Sequence, residues 1–323
     1  MPLFTTRVGE VPQNARMPAV TAPLRTTVHP RLPVDVRLSL GSLRRGAGDP
    51  SMRSDTSGVT RAVRTPAGPG TVHLAPRPGG EVTVTAWGAG AEWLVATAPD
   101  LLGQRDAAQG WAPVSPLLRE LTRRHPGLRT PRSGLVLDAL VPSVLEQKVT
   151  GFEARRAWRD LLRRHGEVAP GPAGEEGMRV MPSPAALAGL PSWEWHQLGV
   201  DQKRWLVIRE CARVAGRLEE VVAMELPAAH ARLRVIRGVG PWTAAEVAQR
   251  ALGDSDAVSV GDFHLPALVG HALSGQRTDD EGMLALLEPY RPHRYRAVRL
   301  IELSGLAAPR RGPRMAPRDF RRI

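Results

Sequence analysis

Cysteine is nearly missing from this chain: Cys211 is the only one in 323 residues. A single thiol excludes an intramolecular disulfide framework, a zinc site built on several cysteines and a four-cysteine iron–sulfur cluster. Lysine is almost as scarce. Lys148 and Lys203 are the only two among 44 basic residues, which confines amine nucleophiles to two positions. No segment approaches the roughly 20 apolar residues of a membrane helix, and the N-terminus MPLFTTRVGEVPQNARMPAV lacks the apolar stretch of a secretory signal. There is no Walker phosphate loop, dinucleotide fingerprint or Gly-x-Ser-x-Gly elbow. His264, His271 and His293 show no metal-ligand spacing with carboxylates or cysteine, so no metal site is expected. The expectation is an intracellular, cytoplasmic protein without a membrane partner, and nothing in the pattern points beyond a monomer.

What the chain has in excess is positive charge. The net charge is +12, almost all of it arginine. Such a chain repels itself unless it meets a polyanion, which makes nucleic acid the leading partner and a nucleoid association the natural one. Glycine and proline are also abundant, at 32 and 30 residues, which predicts long loops and unstructured ends. Residues 1–32 read as a disordered arm rich in Pro, Thr and Arg, and 306–323 as a basic C-terminal tail.

Between these ends the period of apolar residues changes once. Val34, Val36, Leu38 and Leu40 alternate with polar residues, as do Val82, Val84 and Ala86, with Gly/Pro/Asp turns between such runs. This predicts a small, mostly antiparallel sheet over 33–100, a helix around 99–125 and a linker at 125–134. From about 135 the period is 3.6, with helices expected at Leu135–Lys148, Gly151–His165, Pro184–Leu190, Gln202–Leu218 and Pro227–Ile236. Cys211 lies on one apolar helical face and is expected to be a buried, structural thiol. The fold class is therefore α+β: a small N-terminal domain over 33–125, then an all-helical domain over 130–305.

The chemistry concentrates in residues 230–274. A helical pattern through Leu233 and Ile236 runs into the turn Arg237-Gly238-Val239-Gly240, and Pro241 suits the first turn of a second helix. Two glycines around one apolar residue allow a tight hairpin and a close backbone approach to a ligand. The free N–H groups at the next helix start then suit a phosphate. Asp262 follows after a Gly/Asp/Ser loop, just before another helical run. An Asp there is by itself a helix cap, which also holds a carboxylate rigidly in the favourable field of a helix N-terminus.

Helix–hairpin–helix, then a loop, then Asp resembles the helix–hairpin–helix base-excision DNA glycosylases. IRGVGPWTA at 236–244 is most similar to the 3-methyladenine DNA glycosylase II group. SVLEQKVTGFEARRAW at 143–158 and PSPAALAGLP…LGVDQKR at 182–204 are similar to earlier helices of that group. The likeness covers about 130–305 with specific motifs and 33–125 only loosely. It implies that Asp262 is the catalytic carboxylate and that a base flipped from duplex DNA rests against Trp242. It implies DNA contacts from Gly238, Val239, Gly240 and Thr243, and a wedge into the gap at Gln147 and Lys148. It implies no organic cofactor and no iron–sulfur cluster, and it admits a structural monovalent cation at the hairpin.

Several positions keep two readings. Trp242 fits core as well as a base pocket; Glu246 stands where the family has a second pocket aromatic, and fits either an ion pair with Arg250 or a contact to a base edge. Lys148 departs from the usual apolar wedge and suits a phosphate contact equally. Lys203 and Arg204 fit phosphate contacts or an exposed helical face. His293, in Pro292-His293-Arg294, stands near where the family adds a tryptophan, and reads as pocket or as structure. Bifunctional members carry a lysine where this chain has Trp242, which predicts a monofunctional enzyme that removes an alkylated purine such as 3-methyladenine and leaves an abasic site. The rival readings are a catalytically silent DNA-binding module for lesions or bent DNA, and a lyase using Lys148.

Overall fold

The computed structural model describes residues 22–308. The residues of the expected arm before 22 and of the basic tail after 308 lie outside the described residues. Among the described residues no helix is long and apolar enough to cross a membrane.

The chain begins with β1 (Leu24–Val28), inside the segment read as a disordered arm. It pairs antiparallel with β5 (Val82–Trp87), setting Thr26 against Val84 and Val28 against Val82. An edge strand gains its hydrogen bonds from the backbone, so a half-polar sequence suffices and no apolar period announces it. The alternating run from Val34 becomes a helical turn, α1 (Val36–Leu40), and not a strand. Asp35 caps it, its Oδ1 accepting from Leu38 N at 2.9 Å. Val36 and Leu40, four apart, are buried together, a spacing that strand and helix periods share.

β2 (Met52–Asp55), β3 (Gly58–Thr65), β4 (Gly68–Pro76) and β5 form an antiparallel meander, and the five strands lie in the order β1-β5-β4-β3-β2. α2 (Ala91–Leu101) lies across the sheet, burying Leu94, Ala98 and Leu101 against Val59, Val63, Val72, Leu74 and Val84. Gly70 permits this approach, because a Cβ there would stand 2.6 Å from the Leu94 side chain. The single helix expected around 99–125 is thus two. The second, α3 (Pro116–Arg124), buries Leu118 and Leu121 in a cluster with residues of the last helices of the chain, not with the sheet.

Residues 125–134 are no solvent linker. Leu128, Arg129, Thr130 and Ser133 are buried. Gly127 O accepts from Asp35 N at 2.8 Å, and Gly134 N donates to Ala251 O at 2.9 Å. The segment is a seam whose backbone groups are satisfied by both sides, which composition alone does not reveal.

Helices then follow closely: α4 (Val136–Leu145), α5 (Gly151–His165), α6 (Pro172–Glu175), α7 (Pro184–Gly189), α8 (Ser192–Gln197), α9 (Gln202–Arg213) and α10 (Ala215–Glu219). After them come α11 (Leu226–Arg234), α12 (Pro241–Val247), α13 (Leu265–Ser274), α14 (Asp280–Leu287) and α15 (Arg294–Leu303). The glycine-rich insertion after α5 holds α6 between two short paired strands, β6 (Glu167–Val168) and β7 (Arg179–Val180). α4 is the central helix: every residue from Val136 to Leu145 except Asp138 is buried. Asp138 bonds Arg61 of β3, tying the sheet to the helices. Burial raises the Asp138 carboxyl above its ordinary range against the opposing pull of Arg61. Cys211 lies fully buried in the core around α4, and desolvation pushes its thiol up to about 12, as expected of a structural cysteine.

Candidate active site at the hairpin

α11 and α12 are joined by a closed turn in which Val239 N donates to Ile236 O at 2.9 Å. Val239 is buried in the helical core, so the residue between the two glycines anchors the hairpin by its side chain. Gly238 has φ +94°, and a Cβ on it would come within 2.3 Å of Val207. Glycine is required there by backbone and space alike. Gly240 is different: with φ −88° and nothing within 4 Å of a built Cβ, no neighbour in the chain demands glycine. Open space beside the first turn of α12 is what a close external backbone contact needs.

Gln147 fastens the loop between α4 and α5 to this hairpin. Its Nε2 donates to Gly238 O and to Thr243 Oγ1, both at 2.9 Å. Thr243 is buried, so its hydroxyl serves this contact and only its backbone side remains for a ligand. Lys148 follows, exposed, with φ +53°, the sole positive φ outside glycine among the described residues. Such a conformation costs on the order of 1 kcal/mol, and here the surrounding contacts of Gln147 and the capped start of α5 hold it.

Asp262 stands opposite the start of α12. Its Oδ1 accepts from the backbone N–H of His264 at 2.8 Å and of Leu265 at 2.9 Å, at the head of α13. Its Oδ2 accepts from Trp242 Nε1 at 3.0 Å. The carboxylate therefore caps a helix, as expected, and is gripped from a second side by Trp242. All three of these donors are neutral. Oδ1 takes two of them and Oδ2 one, which leaves a lone pair on Oδ2 for a further donor such as water. Gly261, φ +91°, makes the turn just before it, and Gly261 N donates to the Asp280 carboxylate at 3.1 Å.

Glu246 sits one turn below Trp242 on the same face of α12 and pairs with Arg250 at 2.8 Å, with side chains only 12% and 14% exposed. Ser259 Oγ donates to its other oxygen at 2.6 Å. Both Glu246 oxygens are thus engaged inside the protein, the ion-pair reading of the two offered for it, and neither faces a base pocket. Its charge raises the Arg250 guanidinium further above its ordinary range, against desolvation. His293 is likewise buried, its ring set edge-on to Trp111 at 6.1 Å, and desolvation lowers its imidazole. It is a packed histidine at the head of α15, not part of an open wall.

The two basic residues at the start of α9 separate completely. Lys203 is exposed. Arg204 is buried; it pairs with Asp201 at 2.6 Å and donates to Leu145 O at 2.8 Å and Gly199 O at 3.2 Å. A guanidinium buried from solvent, with all three nitrogens bonded inside the protein, is out of reach of a phosphate, so Arg204 is a structural residue.

Two residues of the site escape sequence reasoning. Phe263, next to Asp262, is 88% exposed and stands edge-on to His264 at 4.8 Å. An apolar residue just before a helix is normally inward, so only the structure shows that it faces out. Ser259 is the other, since a serine in a Gly/Ser/Asp loop is unremarkable until its hydroxyl is seen to meet Glu246. A cavity of about 240 Å³ lined by Arg105, Arg132, Met224 and Leu252, among others, includes none of the predicted site residues. Among the described residues no group of three or more His, Cys, Asp or Glu could hold a metal ion.

Comparison with known proteins places the fold. No family model matches the chain. It is 28% identical over 214 residues to a probable bifunctional transcriptional activator/DNA repair enzyme AlkA of Mycobacterium tuberculosis; the match takes in 64% of this chain and 42% of that longer relative. Among solved structures, a 3-methyladenine DNA glycosylase from Archaeoglobus fulgidus superposes with a TM-score of 0.72 over 86% of this chain and 97% of that one, at 16% identity. An 8-oxoguanine glycosylase/lyase of Clostridium acetobutylicum, solved with double-stranded DNA, superposes with a TM-score of 0.63 over 87% and 96%, at 11% identity. The helix–hairpin–helix glycosylase resemblance read in residues 236–244 thus extends, as a fold, across the sheet as well as the helices.

Proposed function

We propose that this chain, which carries the fold of the helix–hairpin–helix DNA glycosylases, is itself a DNA N-glycosylase that removes a damaged purine, flipped out of duplex DNA, by hydrolysis. The observation that carries the reading is Asp262: a carboxylate held by three neutral donors, with an oxygen still open, at the mouth of the hairpin. When the bond from C1′ to the base nitrogen breaks, its electrons leave with the base and positive charge builds on C1′ and the ring oxygen. A fixed, unneutralised carboxylate stabilises that charge without reorganising. Water then adds its oxygen to C1′ and gives its proton to Asp262.

The other residues supply binding. The hairpin backbone at Gly238–Gly240 and the exposed Lys203 meet phosphates, and Lys148 and Gln147 border the gap left by the extruded nucleotide. The Trp242 indole, fixed by its bond to Asp262, offers a face to the base, and the exposed Phe263 adds an aromatic surface beside it. An alkylated purine, already cationic, favours such a face and leaves without a strong general acid. No lysine stands at position 242 to attack the sugar, which favours water and an abasic product.

One observation favours a second reading. Glu246 and His293 are turned inward, so the aromatic lining is thinner than the resemblance predicts, as in a module that binds lesions without cutting. Single-turnover base release from duplexes carrying methylated, deaminated or oxidised purines, with alkali to reveal abasic sites, separates the two. Release that falls about 100-fold or more in Asp262→Asn establishes the enzyme. Strong, salt-sensitive binding with no release from any duplex establishes the module.

A further inference from the structure

The loop from 254 to 264 carries Asp262, and its attachments are unusually specific. It starts at Asp254, which is buried, accepts from Asp256 N and Ala257 N, and meets His230 Nε2 at 2.8 Å. It ends at Asp262, bonded to Trp242. Between them lies Ser259, 3% exposed, which is a junction. Its hydroxyl donates to Glu246 at 2.6 Å and accepts from Gln249 Nε2 at 3.0 Å, while Gln249 also donates to Ala257 O at 3.0 Å. Ser259 O then accepts from Asp262 N at 3.2 Å, closing the turn in which Gly261 adopts φ +91°.

We propose that Ser259, held by the Glu246–Arg250 ion pair, is a positioning residue for Asp262: it sets the height of the catalytic turn against α12. The inference rests on the glycosylase reading above. The geometry is a two-point clamp. Trp242 and Glu246, four residues apart on one face of α12, hold the carboxylate at one point and the base of its turn at the other. Without the Ser259 bond the turn is tied to α12 at Trp242 alone, and its other bonds, to the head of α13 and to Asp280, do not set its height against α12. The hydrogen bond from the Ser259 hydroxyl to an ionised carboxylate is of the strong, charge-assisted kind and sits out of water, so it fixes the second point. Arg250 anchors the far side, donating through Nε to Ser42 O at 3.0 Å, and so ties the clamp to the turn that follows α1 in the sheet domain. Glu246 in this arrangement touches no substrate. Its charge is neutralised by Arg250, and its work is done through Ser259.

The test is a double-mutant cycle with a spectroscopic readout that does not depend on turnover. Ser259→Ala removes one hydroxyl and leaves the Glu246–Arg250 pair in place, and its folding is checked by thermal denaturation. Base release under single-turnover conditions is expected to slow on the order of 10–100-fold, with lesion-duplex affinity unchanged, because the defect is in aim and not in binding. Ser259→Thr, which keeps the hydroxyl, retains most of the rate. In an Asp262→Asn background Ser259→Ala adds little further loss, since its effect passes through that carboxylate. The indole N–H resonance of Trp242, assigned with Trp242→Phe, shifts in Ser259→Ala as its partner moves. A wild-type rate in Ser259→Ala, an equal loss in both backgrounds, or an unmoved indole resonance overturns the clamp. Absence of release by the wild type from every duplex overturns the glycosylase reading instead, and the indole resonance still decides whether the clamp exists.

Discussion

Two carboxylates lie against the same face of α12 and meet opposite fates. Asp262, opposite the helix start, is bonded by two backbone N–H groups and an indole; Glu246, one turn further in, is bonded by Ser259 and an arginine. An anion already neutralised by a buried guanidinium has little field left for a reacting sugar. One held by neutral dipoles keeps its full charge in a fixed place. On the proposed reading, the same residue chemistry does electrostatic work at one end of the helix and structural work at the other. What separates the two is the partner, not the carboxylate.

The widest consequence of this contrast concerns rate. Asp262→Asn keeps the shape and the cap but removes the charge, and should reduce base release by about 10²–10³ under single-turnover conditions. A loss of less than tenfold would mean that the charge at 262 is not the one that matters. Next in size is the split between neighbours on α9. Arg204→Ala leaves Leu145 O and Gly199 O without their donor and should destabilise the fold by about 2 kcal/mol, measured by urea unfolding, with no change in the salt dependence of DNA binding. Lys203→Ala should do the reverse, leaving the unfolding midpoint in place and reducing the log–log salt slope by about 0.9 if Lys203 meets a phosphate.

The hairpin glycines divide in the same manner, with a comparable effect. Gly238→Ala forces an L-residue into a left-handed conformation against Val207, and should cost about 1–3 kcal/mol in stability. Gly240→Ala should melt with the wild type and lose affinity for DNA alone. Equal melting losses in both variants would remove the argument for a contact at Gly240. The smallest effect is at Cys211. With its thiol pushed up to about 12, the folded protein keeps it protonated, while the unfolded thiol ionises near 8.5. The associated stability is present below about pH 8.5 and is lost as pH rises through the folded value, so alkylation at pH 8 should require denaturant.

How much of this was legible before the structure varies with the physics of each element. α5 was readable to its ends, because a 3.6 period and a capping box of Thr150 and Glu153 are local facts about one segment. The two-residue-period run at 34–40 misled, since positions 36 and 40 satisfy a helix as well as a strand. β1 was invisible because its partner, β5, lies more than fifty residues away. Within the site, the hairpin and Asp262 as a helix cap were legible from the residues, whereas the pairing of Trp242 with Asp262 in one site was implied only by the resemblance; the structure brings the two into contact. Arg204 and His293 were not, since exposure of a polar side chain is set by elements far away in sequence.

The sequence by itself determined the basic charge, the single inert thiol, the glycine hairpin, and a carboxylate a fixed distance beyond it. These are properties of composition and of short segments, where each residue acts through its own chemistry and its near neighbours. Which carboxylate stays free of a counter-charge, which arginine faces inward and which phenylalanine faces out were decided only by tertiary structure. Burial and partners arise when separate segments meet: here the loop carrying Asp262 meets Trp242, and Ser259 meets Glu246, whose arginine is one turn away on its own helix.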